Sequence, residues 1–209
     1  MFNSAEYWEN RYRVGKNSGA GSYGRLATFK ATVINEMISK NKIESIIDFG
    51  CGDGNQLSLM QPRKYIGVDV SPSTIQSLRD RFESQPLFSF VLADGIGRET
   101  RYDLSMSIDV IYHLIEDSVF ESYMENLFFY ADRFVLIYSS NTVLPYAGSH
   151  IRHRRFSDFV ESKFPGWRQV GHIANPYPWD KAQKDNTSFA DFFIYAPFAM
   201  TQVDVPTAR

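Results

Sequence analysis

The stretch Ile46-Ile47-Asp48-Phe49-Gly50-Cys51-Gly52-Asp53-Gly54 decides the fold class, because a short apolar run passes directly into closely spaced glycines. A second apolar run, Tyr65 to Val70, contains Asp69, which comes nineteen residues after Gly50. Glycines where a first strand turns into a helix let the backbone approach a ligand, and an acid ending the second strand accepts the hydroxyls of a ribose. This order of features predicts a site for a ribose-containing ligand. The alternative is a plain tight turn, with the acids acting as caps.

Strand and helix patterns alternate along most of the chain. Leu26 to Ile38 carries apolar residues on one helical face, and a crossover helix is expected to start within Asn55 to Met60. Pro72 after Ser71 is a typical helix start, and Ser157 is the expected cap of a late helix. The alternation predicts an open, mostly parallel α/β sheet covered on both faces, with right-handed crossovers. The predicted strands are Ile43–Phe49, Tyr65–Val70, Phe88–Ala93, Leu104–Ile108, Phe134–Tyr138, Gln169–Ile173 and Phe189–Tyr195.

The spacing of the glycines disfavours NAD, because the dinucleotide fingerprint requires its third glycine where Asn55 stands. Asp48 to Gly54 instead resembles the first motif of the class I S-adenosylmethionine-dependent methyltransferases, an acid followed by Gly-x-Gly-x-Gly. The resemblance extends over about Trp8 to Phe193. It implies a Rossmann-like α/β fold with a seven-stranded, mostly parallel sheet of order 3-2-1-4-5-7-6, in which strand 7 is antiparallel. It also implies S-adenosylmethionine as cofactor and S-adenosylhomocysteine as product.

The same resemblance assigns the cofactor contacts. Asp69 is the implied ribose-binding acid, and Asp94 is the acid that bonds the adenine amino group. Asp109 is a candidate for the methionine amino group or for a divalent metal, and Cys51 is interpreted as a small filler. We expect no metal, because Ser139-Ser140-Asn141 stands where related metal-dependent enzymes carry an Asp-Asn pair. The expected cofactor-binding residues are Asp48, Gly50, Cys51, Gly52, Gly54, Asn55, Asp69, Val70, Asp94, Gly95, Ile108, Asp109, Tyr23 and Arg25.

The residues after strand four are expected to lie where the chemistry occurs. His113 is the first candidate for a general base, because imidazole titrates near neutral pH. The alternative is a histidine packed against the sheet and hydrogen-bonded to backbone. A hydroxyl acceptor needs such a base, whereas a neutral amine needs little help. Tyr112 and Asn141 are expected to contact the acceptor.

Basic residues are concentrated in Ser149 to Arg155, after strand five. Arg152 and Arg154 are predicted to bind a phosphate or carboxylate of the acceptor, since guanidinium groups bind such anions in bidentate fashion. His150 and His153 are the second-line candidates for the base. The alternative is a solvated basic loop.

The composition sets limits on the class of protein. A length of 209 residues with a hydrophobic fraction of 44% fits one domain, which we divide into an N-terminal lid (1–25), a cofactor-binding core (26–198) and a tail (199–209). A formal net charge of −2 gives no field that favours nucleic acid. The single cysteine points to a reducing compartment. No apolar run approaches the about 20 residues that span a bilayer, so we expect a cytoplasmic protein without a membrane span.

The sequence therefore predicts an S-adenosylmethionine-dependent O-methyltransferase for a small anionic or carbohydrate acceptor. The glycine-rich stretch Ser18 to Leu26, together with the loop His150 to Arg155, resembles bacterial methyltransferases associated with surface polysaccharides. That resemblance implies a role in polysaccharide biosynthesis, with a sugar, sugar phosphate or glycan end as acceptor. The alternatives are N-methylation of an amino sugar or small amine, and a catalytically silent module that binds the cofactor and regulates a partner. The oligomeric state stays open.

Overall fold

The computed structural model of the protein describes residues 2–144 and 150–207. Met1, residues 145–148, Ser149 of the predicted basic loop and the last two residues of the predicted tail lie outside the described residues.

Helices and strands alternate after an N-terminal helix. Short 3-10 helices occur at Ala20–Ser22, Leu57–Leu59, Ile111–His113 and Lys181–Gln183. The α-helices are α1 Ser4–Arg13, α2 Gly24–Asn41, α3 Pro72–Arg81, α4 Asp117–Phe129 and α5 Phe156–Lys163. The strands are β1 Ser45–Phe49, β2 Lys64–Asp69, β3 Phe88–Leu92, β4 Tyr102–Ile108, β5 Ala131–Ser139, β6 Trp167–Ile173 and β7 Asp191–Pro197.

Within the described residues, seven strands form one sheet in the order β3-β2-β1-β4-β5-β7-β6. The pairs from β3 to β5 are parallel, and β7 runs antiparallel to both of its neighbours. The predicted fold class and strand order are confirmed. The order reverses between β1 and β4, which leaves a crevice at the carboxyl ends of these two strands.

Apolar side chains pack on both faces of the sheet because successive residues of a strand point to opposite sides. Ile46 packs with α2 and α3 on one face, and the next residue, Ile47, packs with α4 and α5 on the other. The predicted stripe on α2 is buried at Leu26, Phe29, Val33, Ile34 and Met37.

Two local predictions are wrong. Asn55 to Met60 forms only the 3-10 helix Leu57–Leu59, because Pro62 follows closely and disfavours helical backbone at the residue before it. Ser157 does not cap α5 but lies inside it, after the N-cap residue Arg155. The Ser157 amide donates to Oδ1 of Asn141 (3.2 Å), so the capping oxygen comes from another part of the chain.

The N-terminal segment, residues 2–23, is docked on the core through carboxylates. Glu9 on α1 accepts hydrogen bonds from the hydroxyls of Ser71 (2.6 Å) and Ser73 (2.5 Å) at the start of α3. The amide and hydroxyl of Ser4 donate to Glu116, which precedes α4. Among the described residues, no helix combines the length and apolar character that crossing a bilayer requires.

Candidate active site

A cavity of about 580 Å³ lies at the carboxyl ends of the central strands. Its walls come from the turn after β1, the ends of β2 and β4, and the N-terminal segment. Ligands of open α/β sheets bind at this crevice. The expected cofactor residues that line it are Asp48, Gly50, Cys51, Gly52, Asp69, Val70, Asp94, Ile108 and Asp109.

The glycine turn is held between the loop after β4 and the N-terminal segment. Gly50 has φ +78°, and a Cβ there would lie 2.5 Å from a methyl group of Val110. Gly52 has φ +56°, and a Cβ there would lie 2.4 Å from the hydroxyl of Ser18. Both positions therefore require glycine, for backbone conformation and for space. Gly54 and Asn55 continue the turn outside the cavity wall, where Nδ2 of Asn55 donates to the carbonyl of Ser22 (2.6 Å).

Two buried carboxylates lie at the base of the cavity. Asp69 accepts hydrogen bonds from the amides of Gly52 and Ser71, both at 3.0 Å, while burial raises its pKa to about 6. Asp48 accepts a hydrogen bond from the hydroxyl of Tyr65 (2.7 Å), and burial raises its pKa to about 7. Oδ1 of Asp48 has no hydrogen-bond partner among the described residues. Buried acceptors of this kind suit a ligand rich in donors.

The remaining expected cofactor residues divide between the cavity rim and the surface. Asp94 lies exposed at the rim, and the amide of Gly95 next to it donates to the carbonyl of Leu92 (2.9 Å), which forms the turn after β3. The Tyr23 hydroxyl donates to Asp53 in the glycine turn (2.9 Å). Arg25 lies outside the cavity, with Nε donating to the carbonyl of Asn186 (2.7 Å).

Cys51 is buried inside the glycine turn. Burial and the nearby Asp69 and Asp48 raise the pKa of its thiol well above its usual value. A thiol that is held in its neutral form is a weak nucleophile. The interpretation of Cys51 as a filler is therefore consistent with its surroundings.

Asp109, directly after β4, adopts the left-handed conformation with φ +62°. Its Oδ2 lies 2.5 Å from Nζ of Lys30, which is fully buried on α2. Its Oδ1 accepts a hydrogen bond from the hydroxyl of Tyr112 (2.6 Å). Both carboxylate oxygens are thus held by side chains of the protein itself, on the wall of the cavity.

His113 is a half-buried histidine on the same wall. Its Nδ1 lies 2.9 Å from the carbonyl oxygen of His150 and must donate, since a carbonyl only accepts. This bond assigns the tautomer and leaves Nε2 as the ring atom with a free lone pair. Burial lowers the pKa of His113 to about 4, and the stacked ring of His150 (5.3 Å) adds to the effect. At neutral pH the imidazole is therefore uncharged and able to accept a proton.

A second cavity, of about 240 Å³, lies beside the first. The two cavities share five wall residues, which are Trp8, Ser18, Ser22, Asp109 and His113. Tyr112, His150 and His153 also line the second cavity, and Nδ1 of His153 lies 2.7 Å from the hydroxyl of Ser140. Burial lowers the pKa of both His150 and His153. All three candidate bases are therefore brought to one small cavity.

Four further residues in the wall of the second cavity are aromatic or cationic. Trp179 and Phe189 stack with their ring centres 4.4 Å apart, and each is about two-fifths exposed. Arg11 and Lys184 also belong to the wall. Sequence reasoning missed these four residues, because they are scattered over α1 and the loop between β6 and β7.

The predicted acceptor residues Arg152, Arg154 and Asn141 do not line either of the two cavities described. Both guanidinium groups lie 2.9 Å from the carboxylate of Asp117, and both donate to the carbonyl of Ile115. The side chain of Asn141 is paired with Ser157 on α5. The arginines connect the loop to α4 instead of reaching the cavity, because a nearby carboxylate and free carbonyls bind them first.

Lys30 was also missed, although the sequence contains a signal for it. Position 30 is one helical turn after Leu26 and one before Ile34, on the apolar stripe of α2. A lysine on a buried stripe requires a partner inside the protein.

Comparison with known proteins supports the assignment of the domain. Residues 46–131 match the family described as a methyltransferase domain. Rv1506c of Mycobacterium tuberculosis (strain ATCC 25618 / H37Rv), which is named as a methyltransferase, is 37% identical over 68 residues. That match spans 31% of this chain and 41% of the relative, so the chain aligns with about two-fifths of that protein's length.

Solved structures share the fold over nearly the whole chain. The magnesium protoporphyrin IX methyltransferase ChlM of Synechocystis PCC 6803, with bound S-adenosylmethionine, matches with a TM-score of 0.64 and 15% identity. The match covers 94% of this chain and 98% of that one. The N-methyltransferase NodS of Bradyrhizobium japonicum WM9, in complex with S-adenosyl-L-homocysteine, matches with a TM-score of 0.67 and 11% identity, over 94% of this chain and 100% of that one. At these identities the likeness concerns the fold alone.

Proposed function

From the premise that the chain carries a methyltransferase domain with the class I, S-adenosylmethionine-dependent fold, we propose that it transfers a methyl group to a hydroxyl of a small acceptor. The observation that carries the proposal is the wall common to the two cavities, which contains Asp109 and His113. One cavity has the residues expected for the cofactor, and the other is lined by candidate bases. A methyl donor in one cavity and an acceptor in the other would meet beside these shared residues, where transfer can occur.

The residues of the larger cavity fit S-adenosylmethionine, which supplies an activated methyl group when bound. Buried Asp69 is suited to accept the ribose hydroxyls, and Asp94 at the rim is suited to accept from the adenine amino group. The glycine turn allows close approach of the backbone. We assign Asp109, which forms an ion pair with Lys30, to the amino group of the methionine end.

His113 is the proposed base. It is neutral at physiological pH, and the bond from Nδ1 to the His150 carbonyl leaves Nε2 to accept the proton of the acceptor hydroxyl. Loss of that proton accompanies formation of the new bond between the acceptor oxygen and the methyl carbon. His150 supports this role by fixing the tautomer of His113 through its backbone carbonyl.

The proposed acceptor is a small anionic or carbohydrate molecule, such as a uronic acid, a sugar phosphate or the end of a glycan precursor. The small volume of the second cavity favours a compact acceptor. The stacked rings of Trp179 and Phe189 offer an apolar face for a sugar ring, and Arg11 and Lys184 offer charge to an anion. These residues take the place that sequence reasoning gave to Arg152 and Arg154. The N-terminal segment is the proposed lid, since it contributes to both walls.

The test is methyl transfer from labelled S-adenosylmethionine to panels of hydroxyl and amine acceptors. His113→Gln should lower the rate for a hydroxyl acceptor by about 100-fold while leaving the affinity for S-adenosylhomocysteine unchanged. His172→Gln is the matched control, because His172 lies on β6 and pairs with Asp191 away from both cavities. An unchanged rate in His113→Gln with an amine acceptor would favour N-methylation. Cofactor binding without transfer to any acceptor would favour the silent regulatory module.

A further inference from the structure

Lys30 is a charged residue in the middle of an apolar helical face. It lies on α2 between core residues, and none of its surface is exposed. Its ammonium group points to the carboxylate of Asp109 at 2.5 Å and lies 5.4 Å from the ring centre of Tyr138. Lys30 is also part of the wall of the larger cavity.

Burying this charge opposes folding. Taking an ammonium and a carboxylate out of water costs more free energy than a single ion pair commonly returns, and apolar residues of similar volume often serve stability better. Leucine or methionine at position 30 would continue the apolar stripe of α2. The stability of the core therefore does not account for a lysine at this position, and its effect on Asp109 does.

The contacts of Asp109 fix the direction of its carboxylate. Lys30 holds Oδ2, Tyr112 donates to Oδ1, and the Asp109 amide donates to the carbonyl of Tyr138 on β5 (2.9 Å). The left-handed backbone at Asp109, with φ +62°, turns the side chain out of the strand direction. On the opposite side, a Cβ at Gly21 would lie 3.2 Å from Oδ2, so the glycine leaves the carboxylate room.

We propose that Lys30 is a positioning residue that holds Asp109 as an oriented anion for the cationic amino group of the cofactor's methionine end. The inference rests on the proposed function, because it assigns that cofactor to the larger cavity. Lys30 acts through Asp109, whose carboxylate keeps lone pairs for a further donor. Tyr112 completes the arrangement from the loop after β4.

The experiment compares two ligands by calorimetry. S-adenosylhomocysteine carries the amino acid end, whereas 5′-methylthioadenosine has the same adenosine and thioether but lacks it. Lys30→Met should weaken S-adenosylhomocysteine at least tenfold and change 5′-methylthioadenosine less than twofold. Lys40→Met, on the same helix but in an exposed pair with Glu36, should change neither affinity. In the Asp109→Asn background, Lys30→Met should add little to the loss of S-adenosylhomocysteine affinity.

Equal weakening of the two ligands, or no weakening of either, would mean that Lys30 is only structural and would overturn the inference. If Lys30→Met does not fold, Lys30→Gln and Tyr112→Phe allow the same comparison, with selective loss of S-adenosylhomocysteine expected for each. Thermal unfolding without ligand reports folding separately. Failure of the unaltered protein to bind either ligand would instead contradict the proposed function.

Discussion

Asp109 and His113 are four positions apart in the chain, yet the structure gives their side chains opposite electrostatic surroundings. Desolvation of the His113 ring lowers its pKa to about 4 despite the opposing effect of the Asp109 carboxylate, so the ring is uncharged at neutral pH. Asp109 is paired with a buried ammonium group and with a phenol hydroxyl. One side chain is thus uncharged at neutral pH, and the other is paired with a cation. Under the proposed function, this difference would let one small site serve both a cationic ligand and a hydroxyl acceptor.

Gly52 provides a residue-scale test of how the glycine turn holds the N-terminal segment. Gly52→Ala would strain the backbone at φ +56° and also place a methyl group 2.4 Å from the hydroxyl of Ser18. Gly24→Ala is the matched control, because Gly24 has the same φ of +56° with no atom within 4 Å of the added Cβ. Both variants should lose about 1 kcal/mol of stability from the backbone. Only Gly52→Ala should also speed hydrogen exchange in residues 12–22 and weaken S-adenosylhomocysteine.

Equal exchange rates in the two alanine variants would mean that the Ser18 side chain moves away from the added methyl group without weakening the N-terminal segment. The segment would then be held by its other bonds, such as those from the Ser18 amide and the Tyr23 hydroxyl to Asp53.

At the scale of elements, periodicity predicted most strands to within three residues of their observed ends. Apolar runs that end in glycine or aspartate predict strands reliably, because buried parallel strands are apolar along their length and end in turn residues. The two errors have different origins, one in the local sequence and one in the tertiary structure. Asn55 to Met60 lacks the length for a helix before Pro62, and the cap of α5 comes from Asn141, sixteen residues earlier in the chain. Local propensity cannot predict a partner that only tertiary structure supplies.

The docking of α1 is an element-scale feature that can be weakened by one change. Glu9 accepts from Ser71 and Ser73, and these hydrogen bonds hold the pKa of its carboxyl below the usual value. Glu9→Ala should speed hydrogen exchange in α1 about 30-fold, since two hydrogen bonds worth about 1 kcal/mol each are lost. Glu6→Ala is the control, because Glu6 lies exposed on the same helix.

The effect of pH on α1 follows from the direction of the shift in Glu9. A carboxyl with a lowered pKa stabilises the fold above its usual pKa, and this contribution is lost as the pH falls through the folded value. Exchange in α1 of the unaltered protein should therefore approach that of Glu9→Ala in acid. A constant difference between the two proteins down to pH 3 would contradict this account.

For the molecule as a whole, the residues that line the larger cavity were more predictable than those that line the smaller one. Asp48, Asp69, Asp94 and Asp109 lie near the carboxyl ends of β1 to β4, and parallel strands bring these ends to one edge of the sheet. The smaller cavity, which is the proposed acceptor site, includes wall residues from α1, the loop after β4 and the loop between β6 and β7. No spacing in the sequence reveals which distant loops meet. Arg152 and Arg154 illustrate the limit, because charge alone did not reveal that Asp117 binds them.

The stability of the whole fold should depend on pH through the buried carboxyl of Asp48. Its pKa is raised by burial to about 7, so the folded protein binds this proton more tightly than the unfolded chain. This contribution is present below the ordinary pKa and is lost as the pH rises through the folded value. Asp48→Asn should therefore gain stability relative to the unaltered protein, by about 4 kcal/mol between pH 4 and pH 8.

Urea unfolding at both pH values, without cofactor, measures this difference. The asparagine oxygen still accepts from Tyr65, which makes the variant a fair test of charge. Asp132→Asn, at an exposed position in β5, should show no such trend. If Asp48→Asn and Asp132→Asn behave alike, the pKa of Asp48 is not raised in the folded protein and this account is wrong.

The residues shared by the two cavity walls also have a consequence for the rates of ligand release. Trp8, Ser18 and Ser22 belong to one continuous segment and border both spaces, so a displacement of that segment changes the exits of both at once. Under the proposed lid, the spent donor and the finished product leave through a common barrier. The residence times of the two ligands are then coupled, and slow release of a ligand from one cavity delays release from the other. A more viscous solvent would slow this displacement of the N-terminal segment and so lower the turnover number.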